Sequence, residues 1–124
     1  MKKYAAKLLF QFRVVVDGDS GKRRTCEERI ILIDAESARH ALRTAKQRGK
    51  KGQFNYKNSD GNSVHFEFIG VMDLMELGIE CAEGEVWYDI VERISPSERR
   101  DRLLPPESEL SAVKNELAAR RRRP

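Results

Sequence analysis

The sequence predicts an α+β fold: a single antiparallel sheet of about five strands, element order ββαβββ, with one helix packed on one face and a C-terminal helix beyond it. Three observations predict this. Residues 4–16 and 64–68 alternate apolar and polar side chains with a period of two, the mark of half-buried strands. Between them Ala38, Ala41, Leu42 and Ala45 form a narrow apolar stripe at helical spacing. From Ser95 onward, prolines at 96, 105 and 106 break the pattern.

The first strand is expected over 4–16, with Tyr4, Ala6, Leu8, Phe10, Phe12, Val14 and Val16 on one parity and Lys7, Leu9, Gln11 and Arg13 on the other. Residues 17–24, DGDSGKRR, supply a basic hairpin loop. The second strand, 25–33, ends in an Ile-Ile-Leu-Ile run that is apolar on both faces. Ser37 suits the N-cap of the helix, whose small residues let it lie close to a sheet. The helix should stop near Gly49, where Gly-Lys-Lys-Gly offers a left-handed terminus. A short third strand covers 53–58, and Asp60-Gly61 centres a hairpin turn.

The fourth strand is expected to run over 64–77, bent by a bulge at Gly70, because apolar residues occupy both parities after it. A loop with Gly78 and Gly84 leads to a fifth strand at 85–94, with Val86, Tyr88 and Ile90 on one face and Trp87, Asp89 and Val91 on the other. The organisation read from this is a domain over 1–94, a linker over 95–106, and a helix with a basic tail over 107–124. Pro106 suits the first turn of that helix. Its Leu110, Val113 and Leu117 form a thin stripe that must dock on something to stay helical.

The runs YAAKLLFQF, CEERIILIDAES, YKNSDGNSVHFEFIGVMDLMEL and GEVWYDI resemble a bacterial family of small domains, domain of unknown function 4288, over about residues 4–94. The resemblance implies a small α+β domain and carries no catalytic residue with it. Sequences of that kind often place acids after the capping serine. Here Ala38, Arg39 and His40 follow, so a capping-box role is expected to be lost.

With 124 residues, 40% hydrophobic and 35% charged, the chain can build one modest core under a heavily charged surface. No window approaches the roughly 18 apolar residues of a membrane span. Lys2 and Lys3 begin like a signal peptide, but Lys7, Gln11 and Arg13 interrupt the apolar run, so this segment reads as a strand of a cytoplasmic protein. Cys26 and Cys81 lack CxxC spacing and are expected as core or near-core thiols in a reduced compartment. The net charge of +4 conceals +9 over residues 1–57, −8 over 58–94 and +3 over 95–124. Such asymmetry favours internal pairing or head-to-tail association.

No catalytic or metal-binding constellation emerges. His40, His65, Cys26 and Cys81 share no ligand spacing, and GxSxG, P-loop, GxGxxG and HExxH motifs are absent. No cofactor is implied. The acids at 73, 76, 80, 83, 85 and 89 suit solubility and pairing with the basic half better than acid–base catalysis. Two surfaces stand out as binding candidates. Leu9, Ile69, Trp87 and Val91 would form an apolar patch on the second sheet face. That patch serves a partner or a second copy, or is covered by Leu110, Val113 and Leu117 of the late helix. Arg39, Arg43, Lys46 and Lys50 form a helical ridge, extended by Lys51, Lys57, Lys22, Arg23 and Arg24 and echoed by Arg120, Arg121, Arg122 and Arg123 in the tail. A ridge of this kind neutralises phosphates, although a solvated helix face and a frayed terminus are the commoner uses.

The function expected from these features is non-enzymatic binding: protein–protein interaction or self-association, including regulatory or immunity-type roles. The alternative is a nucleic-acid-associated module using the basic helix face and the arginine-rich tail.

Overall fold

β1 (Lys2–Val15) is the strand to which the others attach. It pairs antiparallel with β2 (Thr25–Ala35) on one edge and with β4 (Ser63–Leu77) on the other, while β3 (Phe54–Lys57) extends the sheet beyond β4. The computed structural model describes residues 1–78, 84–87 and 90–122, and its sheet has four antiparallel strands in the order β2-β1-β4-β3. The architecture is therefore α+β, with α1 (Ala38–Lys51) inserted between β2 and β3.

Alternation decides what β1 buries. Tyr4, Ala6, Leu8 and Phe10 are almost wholly enclosed, together with Ile33 and Ala35 of β2, Phe66 of β4, and Ala41 and Ala45 of α1. Phe12, Ile31, Phe68, Val71 and Leu74 pack around that centre. The Ile-Ile-Leu-Ile run is thereby sorted. Ile31 and Ile33 face α1, whereas Ile30 and Leu32 lie on the opposite face at 42% and 51% exposure. Phe10 stacks on Phe66 with ring centroids 4.7 Å apart, and the Arg29 guanidinium lies 4.7 Å from the Phe10 centroid.

A tight turn tops each of the two hairpins. Asp17 and Gly18 both adopt positive φ, and Val16 and Asp19 exchange backbone hydrogen bonds of 2.9 and 3.0 Å. This is the two-residue turn whose twist matches that of the strands. In the β3–β4 hairpin Asn58 N–H donates to Asn62 O, and the Asn58 side chain accepts from the N–H groups of Asp60 and Asn62. Gly61 supplies the left-handed residue (φ +80°).

β4 carries two irregularities, one on each side of Gly70. Leu8 pairs with Val71 and Lys7 with Asp73, which leaves Met72 unmatched; Leu9 pairs with Gly70 and Phe10 with Phe68, which leaves Ile69 unmatched. Each extra residue shifts the side-chain phase by one. Phe68, Val71 and Leu74 can therefore all pack on the α1 side despite their mixed parity.

Several expectations are corrected. α1 runs on to Lys51 and ends at Gly52 in a right-handed conformation (φ −77°), so Gly49 is not a left-handed terminus. It is buried inside the helix, where an added Cβ would lie 2.5 Å from the Phe68 ring. Ser37 does cap α1, accepting from His40 N–H at 3.1 Å. His40 Nδ1 accepts from Glu36 N–H at 3.4 Å, one residue before the cap, so the reciprocal bond of a capping box to Ser37 N–H is not the one made. Cys26 is exposed at the start of β2 rather than near the core. Cys81 lies outside the described residues.

The fifth strand is likewise corrected. Residues 84–87 and 90–94 form no strand, and Tyr88 and Asp89 lie outside the described residues. Trp87 instead brings its ring to within 5.0 Å of Lys7 Nζ, where its large surface is half-buried. The open edges are capped by side chains. Gln53 Oε1 accepts from Phe68 N–H at 3.0 Å, Asp73 Oδ1 from Leu74 N–H at 2.8 Å, and Arg48 donates to Leu32 O at 3.0 Å.

The chain divides into two units, residues 1–88 and 89–124. In the second, a single helical turn, α2 (Arg100–Leu103), interrupts the expected linker. Pro106 precedes a 3-10 turn at Glu107–Glu109, and α3 (Ser111–Arg122) begins later than the proline implied. Among the described residues no helix is long and apolar enough to cross a membrane.

The close approach of α1 to β4 is testable by thermal or urea unfolding. Gly49→Ala should be destabilised by ~1 kcal/mol, because overpacking against Phe68 costs ~1–3 kcal/mol and the helix-propensity gain returns about 1. A variant as stable as the parent would show that α1 stands further from the sheet. Leu8→Ala should cost ~2–5 kcal/mol.

Candidate functional site

The sheet face opposite α1 is built from the odd positions of β1. Across it run Leu32–Ala5–Met75, Ile30–Lys7–Asp73 and Glu28–Leu9–Gly70 as neighbouring rows, with Asp34–Lys3–Leu77 beside the first. On β2 every residue of this face from Cys26 to Asp34 is exposed. One end of the face is thus apolar with interspersed charges of both signs, and Trp87 lies over Lys7 within it.

The other end is a polar network. Arg13 grips Glu67 with a fork, Nε to Oε1 at 2.8 Å and Nη2 to Oε2 at 3.1 Å. Gln11 Nε2 donates to the same Oε1 at 3.1 Å, Arg13 Nη1 donates to Ser20 Oγ, and Arg24 Nη1 donates to Gln11 Oε1. His65 Nδ1 lies 2.9 Å from Asn55 Oδ1. The network ties the basic hairpin loop to β4. Its partners are mutually engaged, and among the described residues no buried side-chain polar atom lacks a partner.

The expected interface residues are only partly brought together. Leu9 and Trp87 flank Lys7 on this face, and Ile69 is an exposed bulge residue. Val91, Leu110, Val113 and Leu117 belong to the second unit, where each is exposed. Sequence reasoning missed Ile30, Leu32, Met75 and Leu77. The first two were visible as the outward half of a doubly apolar run, but their exposure depends on β2 being an edge strand.

On α1 the basic ridge is real: Arg39, Arg43, Lys46, Lys50 and Lys51 are all exposed. None of them forms an ion pair among the described residues, so the anticipated neutralisation by the acidic segment is not found there. That segment's described pairs engage other cations, Lys2 with Glu76 and Arg13 with Glu67. In α3, Arg120 and Arg121 are exposed, Arg122 closes the helix, and Arg123 lies outside the described residues.

A cleft of about 420 Å³ opens beside the start of α1, lined by Lys2, Tyr4, Glu36, Ser37, Ala38, Leu74 and Glu76. Its lining holds no histidine or cysteine, the Ser37 hydroxyl is engaged as the helix cap, and Lys2 lies 3.3 Å from Glu76. Among the described residues no group of three His, Cys, Asp or Glu is arranged to hold a metal ion.

The hydrogen bond from Arg13 lowers the Glu67 carboxyl from 4.5 to about 2, assisted by Gln11 and opposed by burial, while Glu67 in turn raises Arg13. A lowered folded-state value stabilises the fold fully above pH 4.5, and that contribution disappears as the pH falls towards 2. Urea unfolding across this window should therefore show stability dropping with acid in the parent and a shallower drop in Glu67→Gln. Superimposable acid profiles for the two proteins would contradict the role given to this pair.

No curated protein and no solved structure matches the chain. A family profile does match, over residues 3–86, and its description is Domain of unknown function (DUF4288). The matched segment contains β2, α1, β3, β4 and nearly all of β1. The sheet and helix that build both candidate surfaces are thus the family's own domain, and the chain belongs to the DUF4288 family.

Proposed function

We propose that the domain is a non-enzymatic, cytoplasmic binding module that self-associates through the sheet face opposite α1 and the outer edge of β2. The observation that carries this reading is the exposure of Ile30 and Leu32, 42% and 51%, on an 11-residue edge strand paired on one side only. Together with Met75 and Leu77 they offer apolar surface that a partner would remove from water.

A second copy suits this surface by charge. Lys3 and Lys7 alternate with Asp34, Asp73 and Glu28, so two such faces related by a two-fold axis can set cation against acid. Away from Leu32, whose carbonyl Arg48 already engages, the β2 edge also accepts a strand from a partner by backbone pairing. Regulatory or neutralising roles of the immunity type are uses to which such a module is suited. The exposed Cys26 thiol accords with a reduced compartment.

Light scattering coupled to size exclusion tests the reading on the full chain. The parent should show a concentration-dependent dimer, and Ile30→Lys with Leu32→Lys should give a folded monomer, because both side chains already face outward. A parent that stays monomeric at every concentration would rule the proposal out.

A further inference from the structure

The opposite side of the sheet carries a separate surface, and we infer that the end of α1 and the start of β3 form a binding site for single-stranded nucleic acid. Phe54 and Tyr56 provide the base-stacking surface, and Lys46, Lys50 and Lys51 provide the phosphate contacts.

The aromatic half of the site lies on an edge strand. Phe54 and Tyr56 are 52% and 45% exposed, with ring centroids 5.9 Å apart and planes inclined by 28°. Phe54 also lies against the buried Phe66 at 4.9 Å, which anchors the pair on the core. The turn that leads into them is fixed as well, since Gln53 accepts from Phe68 N–H. Two preorganised rings at a sheet rim suit successive bases, each of which has a face to stack.

Charge supplies the other half. Residues 37–59 contain seven Lys or Arg and no acid. Arg39, Arg43, Lys46 and Lys50 line about 16 Å of the helix surface. Phe54 follows Lys51 by three residues, at most about 11 Å of extended chain. Arg48, Lys50 and Lys51 in the last turn outnumber the roughly half negative charge of the helix C-terminus, so the surface stays positive. A polyanion with exposed flat rings satisfies both halves. A duplex satisfies only one, because its bases are already stacked on each other.

Fluorescence anisotropy with a labelled oligothymidine, on the full chain at low salt, tests the site. The expected result is salt-sensitive binding, tighter than to a duplex of equal length, and weakened about tenfold by Tyr56→Ala. Lys50→Glu with Lys51→Glu should weaken it further and flatten the salt dependence. Because Phe54 touches the core, Phe54→Trp serves as the second variant: it should keep the fold and the affinity, and the fluorescence it gains over the parent's Trp87 signal should be quenched by the oligonucleotide. No binding at low salt, equal affinity for the duplex, equal competition by polyglutamate, or indifference to Tyr56→Ala would each overturn the inference. Ile30→Ser with Leu32→Ser, which removes the apolar side chains of the far face without adding charge, should abolish dimerisation if the proposed self-association holds, and a loss of oligonucleotide binding in that variant would overturn the placement of the site on the α1 side.

Discussion

The separation of β1 into two faces governs this structure. Its even residues from Tyr4 to Phe10 are removed from water, and its backbone is satisfied by a ladder on each edge. Among the described residues of unit one α1 is the single helix, and it covers one face of the sheet. Outside lie, on the opposite face, the exposed alternate residues of β2 from Cys26 to Asp34 beside the buried Ala5, and on the other side the outer surface of α1. The small residues Ala41, Ala45 and Gly49 let the helix lie close to Phe68 and the strand side chains. That closeness seals the core beneath α1 and pushes the longer, charged side chains outward.

Much of this was readable from residue order. β1 announced itself through seven alternating apolar positions, and α1 through its alanines. The failures have specific physical origins. Glycine serves both helix termini and close packing, so Gly49 looked like a stop signal when it was a contact. Residues 85–94 have the composition of a strand, but a strand also needs an edge to pair with, and composition does not reveal which edges are free. Phe54 and Tyr56 were correctly placed within a short strand, yet their exposure follows from β3 being outermost. The Arg13–Glu67 fork joins residues 54 apart in the chain and has no local signature.

The two candidate surfaces differ in chemistry as well as position. The face opposite α1 mixes apolar groups with charges of both signs, while the α1 side offers one sign of charge beside flat rings. Under the two proposals above, such a division lets one small domain engage two kinds of partner without competition between them. The edge caps Arg48, Gln53 and Asp73 fit the same picture, since they satisfy backbone groups that would otherwise recruit strands indiscriminately.

The paired irregularities at Ile69 and Met72 bear on how this strand can change in length. Each adds one residue, and a shift of one turns every later side chain to the wrong face. The two offsets cancel, so the phase set at Phe66 is regained at Leu74. Over generations, losing either residue alone would invert part of the strand, whereas losing both together would leave inside and outside as they were. Length drift in this strand is therefore constrained to come in twos.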